Sequence, residues 1–198
     1  MSKIYTPIGA SNHCKEEREI NDFYATHPAA IDYLFKVEKF QKEIWEPAAG
    51  MGHLSKRMIE LGHNVFSTDL IDRGYSSCIP NIDFLSTDTL PYDHWEGDII
   101  TNPPYSKGLD FVERALELVH NGSKVAMFLK LTFLEGKARR QLYEKYPPAK
   151  IWVFSSRIPC AKNGDFDKMK EIGGSAVAYA WFVWEKGYCG KPLIGWIN

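Results

Sequence analysis

Asn102-Pro103-Pro104-Tyr105 carries the chemistry most specific to this chain. It follows Asp98-Ile99-Ile100-Thr101, a short apolar run that reads as a buried strand. The prolines fix their own φ and lack amide donors, so carbonyls at the corner are left to accept hydrogen bonds. The Asn102 side-chain oxygen is a second acceptor, and Tyr105 supplies a ring that can stack. Two acceptors beside a stacking ring suit a planar base that carries an amino group. Read alone, the tetrapeptide also fits a plain turn.

A second constellation lies upstream. Glu46-Pro47-Ala48-Ala49-Gly50-Met51-Gly52 joins a candidate strand, Lys42 to Trp45, to a candidate helix, His53 to Leu61. Strand, small-residue loop and helix form the first half of a nucleotide-binding βα unit. Gly50 and Gly52 permit a sharp turn and close approach of backbone to ligand. The dinucleotide fingerprint is not met, because Ser55 stands where its third glycine would be. Glu46 would repel a pyrophosphate and suits a cationic or amine-bearing ligand. Both features disfavour a nicotinamide oxidoreductase. Taken alone, the loop could also be a glycine-rich connection with no ligand.

Two acids follow in order. Asp69 closes a candidate strand over 64–68, where a carboxylate can take both ribose hydroxyls. Asp83 could accept from an adenine amino group while Phe84 packs on the ring.

Taken together, these motifs resemble the S-adenosylmethionine-dependent amino methyltransferases of the adenine-N6 class, with the cofactor loop first and the catalytic tetrapeptide later. The resemblance runs from about Phe23 to Lys186 and is to the small, solitary, often phage-encoded form. It implies a Rossmann-like α/β fold with a seven-stranded, mostly parallel sheet, an antiparallel last strand and helices on both faces. It also implies S-adenosylmethionine as cofactor. On this likeness Thr26 touches the methionine carboxylate, with Tyr24 nearby in the segment Asp22 to Pro28. Glu46, Ala48, Gly50 and Gly52 line the methionine end, Asp69 takes the ribose, Leu70 packs on adenine, and Asp83 and Phe84 hold its edge and face.

The chemistry implied is methylation of a poor nucleophile, an amino nitrogen whose lone pair is delocalised into its ring. Hydrogen bonds from its two protons to the Asn102 oxygen and the Pro103 carbonyl would draw it toward tetrahedral geometry and stabilise the growing positive charge. One such group is worth about 3–4 kcal/mol. Tyr105 would hold the base in line by stacking, and no metal or general base is required. A base in a duplex must first be flipped out. A second ring should close the other face of the base from the loop 156–166, and Phe166 is the candidate, although a hydrophobic anchor for that loop serves equally well.

The elements that must position these groups alternate. Helices are expected over about 27–38, 53–61, 108–120 and 134–146, and strands over 42–46, 64–68, 82–85, 98–101, 124–129, 150–154 and 175–184. Alternation of this kind argues a parallel sheet covered on both faces. The last two strands have no clear helix between them, so that pair is expected to be antiparallel. The tail 186–198, bearing Gly and Pro, is expected to wrap the surface.

The 198 residues read as one domain, with an extension over 1–22 and no room for a separate target-recognition domain. Short sequence preference, or recognition lent by a partner or a second copy, is therefore expected. No run is long enough to span a bilayer and no signal-peptide pattern opens the chain, so cytoplasmic residence is expected. The four cysteines are scattered without zinc-ligand spacing.

The net charge of −1 gives no global nucleic-acid footprint. Local clusters exist: Lys137, Arg139, Arg140, Lys145 and Lys150, then Arg157, Lys162, Lys168 and Lys170, with Lys107 just after the tetrapeptide. They fit either a stripe along a substrate cleft or a solvated helix face. DNA adenine-N6 methylation leads. The same chemistry on RNA or on a protein glutamine amide is the nearest alternative, and a non-catalytic cofactor- or nucleic-acid-binding module is another.

Overall fold

The computed structural model describes residues 24–162, 166 and 177–198. Strands β2 (Glu43–Glu46), β3 (Asn64–Thr68), β4 (Cys78–Ile79), β5 (Asp98–Thr101), β6 (Lys124–Lys130), β7 (Lys150–Phe154), β9 (Tyr179–Glu185) and β10 (Leu193–Ile197) form one sheet. Its order is β10-β7-β9-β6-β5-β2-β3-β4. β9 runs antiparallel to both neighbours, β6 and β7, and the remaining pairs are parallel. A separate two-stranded ribbon pairs β1 (Tyr24–Thr26) with β8 (Cys160–Lys162).

Alternation along each strand splits the core in two. Ile44, Ile100, Ala126, Phe128, Trp181 and Val183 pack against α1 (Ala29–Val37) and α2 (His53–Glu60). Trp45, Ile99, Val125, Met127, Phe182 and Trp184 pack against α3 (Gly108–Leu118) and α4 (Lys137–Lys145). A strand buried on both faces needs an unbroken apolar run, which is what β5, β6 and β9 have.

The starts of the strands are tied together at the end away from the glycine loop. Glu38, which caps α1, is buried and accepts from Lys124 Nζ at 2.6 Å and Trp152 Nε1 at 2.9 Å, with Lys150 Nζ at 2.8 Å. Asp98 accepts from the amides of Lys124 at 2.7 Å and Gln41 at 2.6 Å.

The structure corrects the expected layout in three places. The sheet has eight strands rather than seven, because Leu193–Ile197 of the tail adds as a parallel edge strand beside β7. Its glycine marks a close approach: a Cβ on Gly195 would collide with the Trp152 ring. Residues 82–85 are not a strand; the edge strand after β3 is the two-residue β4. The β1–β8 ribbon forms from two segments where no strand is expected. The expected start of the last strand, 175–176, lies outside the described residues, as do 1–23, 163–165, Lys168 and Lys170. No helix among the described residues is long and apolar enough to cross a membrane.

Candidate functional site

β5 ends at Thr101, at the carboxyl edge of the parallel strands, where open α/β sheets bind ligands. Asn102 follows. Its side-chain amide donates to the Tyr24 carbonyl at 2.8 Å, and its Oδ1 is buried with no hydrogen-bond partner among the described residues. Pro103 is buried, and the Pro104 carbonyl accepts from the Lys107 amide at 2.8 Å. That bond sets the single 3-10 turn, Tyr105–Lys107, that leads into α3.

Tyr105 sits among aromatic and polar neighbours. Its ring lies 6.3 Å from Tyr24 at 25° and 5.8 Å from Tyr179 at 33°. Its hydroxyl is 3.2 Å from Cys160 Sγ, and Lys130 Nζ stands 4.7 Å over the ring. Burial pushes the phenol well above its ordinary range, with Cys160 and Tyr179 adding to the shift. Burial likewise raises the Cys160 thiol, against its hydrogen bonds. Sequence reasoning missed Cys160, Tyr179 and Lys130. The signal was positional: Lys130 and Tyr179 are register partners at the carboxyl end of β6.

The glycine loop bends through two left-handed glycines, Gly50 at φ 57° and Gly52 at φ 76°. Asp69, buried just after β3, clasps it: Oδ2 accepts from the Gly50 amide and Oδ1 from the Ile71 amide, both at 2.8 Å. Glu46 is buried beneath the loop and accepts from the Ser55 hydroxyl, which also meets Ser67 Oγ at 2.7 Å. Burial raises the Glu46 carboxyl to about 8; the Ser55 hydrogen bonds oppose this and the Asp69 charge adds to it. Ala48 is partly buried against the core beside Trp45. Tyr75, absent from the expected set, lies against Gly52, where an added Cβ would come 2.5 Å from its Cδ1. Thr26 is buried in β1, opposite Cys160 in the ribbon.

The remaining expected site residues have surroundings of their own. Asp83 Oδ1 accepts from the Leu85 amide at 2.9 Å, and Leu70 is half-exposed. Phe84 is only 2% exposed, edge-on to Trp45 at 5.3 Å and tilted on Phe111 at 5.0 Å, so it is a core anchor without an open face. The Phe166 ring packs edge-on to His27 at 5.1 Å and His53 at 5.4 Å, at the head of α2. Those contacts place it beside the glycine loop. Lys107 is exposed and 3.7 Å from Asp110, and Arg157 is exposed. No cluster of three or more His, Cys, Asp or Glu suited to a metal occurs among the described residues.

No protein-family model and no curated protein sequence matches the chain. Solved structures do match. One is the methyltransferase subunit of a type I restriction-modification system from Streptococcus thermophilus, at TM-score 0.62 and 14% identity, over 88% of this chain and 47% of that one. The chain thus spans about half the length of that subunit. A second is described as a candidate class I S-adenosylmethionine-dependent methyltransferase from Listeria monocytogenes, at TM-score 0.62 and 16% identity, over 92% of this chain and 68% of that one. A third is described as a candidate RNA methyltransferase from Pyrococcus horikoshii, at TM-score 0.50 and 15% identity, over 77% of each chain. The fold is the Rossmann-like class I methyltransferase fold, here with an eight-stranded mixed sheet.

Proposed function

We propose that this chain transfers a methyl group from S-adenosylmethionine to the N6 amino group of adenine in DNA. One observation carries the proposal: Asn102 Oδ1 is a buried acceptor without a partner among the described residues, at the carboxyl end of β5 and beside Tyr105. A buried acceptor is costly to leave unpaired, so a ligand donor is its natural complement. An exocyclic amino group is such a donor.

The glycine loop fits the cofactor. Gly50 and Gly52 take the left-handed φ that the tight loop requires, and Asp69 retains acceptor capacity beyond its two amide contacts. Asp69 would hold the ribose hydroxyls, Leu70 the adenine face and Asp83 its amino edge. Phe84 supports that loop from the core. Glu46, Ala48, Thr26 and Tyr24 would line the methionine end. When bound, the cofactor supplies a methyl group on a positively charged sulfur.

The protein's own part is positioning and electrostatics. Asn102 Oδ1 and the Pro103 carbonyl accept the two amino hydrogens of the base and favour the charge that develops on nitrogen. Tyr105 offers its ring to the base. Support for a nucleic-acid substrate comes from fold kinship with a restriction-modification methyltransferase subunit and from the basic segment that follows β6.

The test is transfer of radiolabelled methyl from S-adenosylmethionine to duplex DNA, single-stranded DNA, RNA and cell-extract protein in parallel, with digestion to identify the product. N6-methyladenine in DNA is expected. Label confined to RNA or protein would replace the substrate while keeping the Asn102 chemistry. No transfer from a chain that binds the cofactor would leave a binding module.

A further inference from the structure

A nucleotide offered to Tyr105 brings a charged backbone with it, and the segment after β6 is built to meet one. Lys130 ends β6 with its ammonium over the Tyr105 ring. Leu131–Leu134 then forms a 3-10 turn with Phe133 buried. Arg139 holds this turn: Nε donates to the Glu135 carbonyl at 2.6 Å, a terminal nitrogen donates to the Thr132 carbonyl at 3.3 Å, and the guanidinium lies 5.0 Å over the Phe133 ring. The Tyr143 hydroxyl donates to the Phe133 carbonyl at 2.7 Å.

An open groove of about 580 Å³ remains at the head of α4, lined by Leu134, Gly136, Lys137, Arg140, Tyr143 and Glu144. Lys137 has no ion-pair partner among the described residues. Arg140 is 81% exposed and gives only its Nε to Glu144, at 2.8 Å, so the outer edge of its guanidinium is open. α4 has no acidic residue in its first turn and no side-chain cap, so the positive end of its dipole, at Gly136 and Lys137 in the groove lining, is not offset there. Residues 130–145 hold five cations against two acids in a chain of net charge −1.

We infer that this groove docks the sugar–phosphate backbone of the nucleic-acid strand that carries the methylated base, an assignment that rests on the function proposed above. Lys137 and Arg140 pair with phosphates, while Leu134 and Tyr143 meet a sugar or a neighbouring base. Charge complementarity selects an anionic partner, and the apolar and aromatic lining among the cations suits a nucleotide strand. Lys130 stands between groove and corner in the chain and is free to move from the Tyr105 ring to a phosphate as the base takes its place.

The test is fluorescence anisotropy of labelled oligodeoxynucleotides, single-stranded and duplex, with the cofactor-loaded full chain across a salt series. In Lys137→Gln/Arg140→Gln, the slope of log affinity against log salt should become shallower by about 1.4 for single strands and about 1.8 for duplex. Lys137→Gln alone should give about half of that. Lys39→Gln/Lys191→Gln, which neutralises two exposed lysines elsewhere, should leave the slope unchanged, and cofactor affinity should hold in every variant. A slope unaltered in the double variant would overturn the groove, as would a wild-type chain that binds acidic protein but no nucleic acid. Failure of adenine methylation alongside the predicted slope change would overturn the proposed reaction and leave the groove standing.

Discussion

The side-chain amide of Asn102 is held by the main-chain carbonyl of Tyr24, 78 residues earlier, at 2.8 Å. That bond settles which end of the amide is donor and which is acceptor. It leaves Oδ1 as an acceptor with no partner among the described residues, and it ties the β1–β8 ribbon to the end of β5.

Asn102→Ala should therefore lower kcat by about 10²–10³-fold and leave cofactor affinity within about threefold. Asn102→Asp should do no better, because a carboxylate cannot donate to the Tyr24 carbonyl. Asp69→Ala should show the opposite split, with weakened cofactor binding. Steady-state kinetics and calorimetric binding on the three variants decide it, and equal loss of turnover and affinity in Asn102→Ala would contradict the role assigned.

Glu46 predicts a pH dependence. Its folded carboxyl titrates at about 8, against an ordinary value of 4.5. Between those values the folded chain keeps a proton that the unfolded chain has lost. Its contribution thus favours folding less and less as pH rises through that window, by at most about 1.4 kcal/mol per pH unit. Glu46→Gln keeps an acceptor for Ser55 and lacks the titration. Urea unfolding of both proteins across the window should show the variant gaining on wild type as pH rises. Parallel curves would mean that Glu46 is ionised in the folded chain.

Glu38 behaves in the opposite sense. Burial raises its carboxyl, but the hydrogen bonds from Lys124, Lys150 and Trp152 outweigh this and hold it below the ordinary value. Its stabilisation is present above the unfolded value of 4.5 and is lost as pH falls through the folded value. Glu38→Ala should cost about 3 kcal/mol or more, since it strands cations gathered on a buried acid. Methyl transfer below the melting range should change by less than about twofold, because Glu38 lies at the opposite edge of the sheet from Asn102. A large loss of turnover in folded protein would mean that the two edges are coupled.

Gly52 and Tyr75 form a testable pair. Gly52→Ala forces a left-handed φ on a residue with a Cβ, at about 1–3 kcal/mol, and drives that Cβ into the Tyr75 ring. In a Tyr75→Ala background only the backbone strain should remain. A double-mutant cycle on unfolding free energy should give a coupling of about 0.5–3 kcal/mol. Simple additivity would mean that the ring does not rest on the loop.

Much of this was legible because strands of four or five residues with an apolar stretch inside announce themselves: 64–68, 98–101 and 150–154 begin and end where the pattern places them. The place of the tetrapeptide at the end of β5 was legible from the apolar run before it. Short or distant pairings were not. β4 has two residues and therefore no period, while Ile82 to Leu85 has the composition of a strand and serves as a loop anchored by Phe84. β1 and β8 pair three residues each across a separation set by tertiary contacts alone. Leu193 to Ile197 was obscured by the glycines and proline around it. Tyr75 reaches Gly52 and Lys130 reaches Tyr105 through packing, which no local pattern encodes.

The order of strands also sets a timetable. β9 lies between β6 and β7, both of which precede it in the chain. Until Tyr179–Glu185 arrives, β6 has one unpaired edge and β7 has no strand partner, and the halves of both cores cannot close. Pairing of β7 must wait on a long-range insertion, and a nascent chain stalled before residue 179 leaves one edge of β6 and both edges of β7 unpaired. The slowest phase of refolding, and the point of greatest exposure to aggregation, should belong to β9.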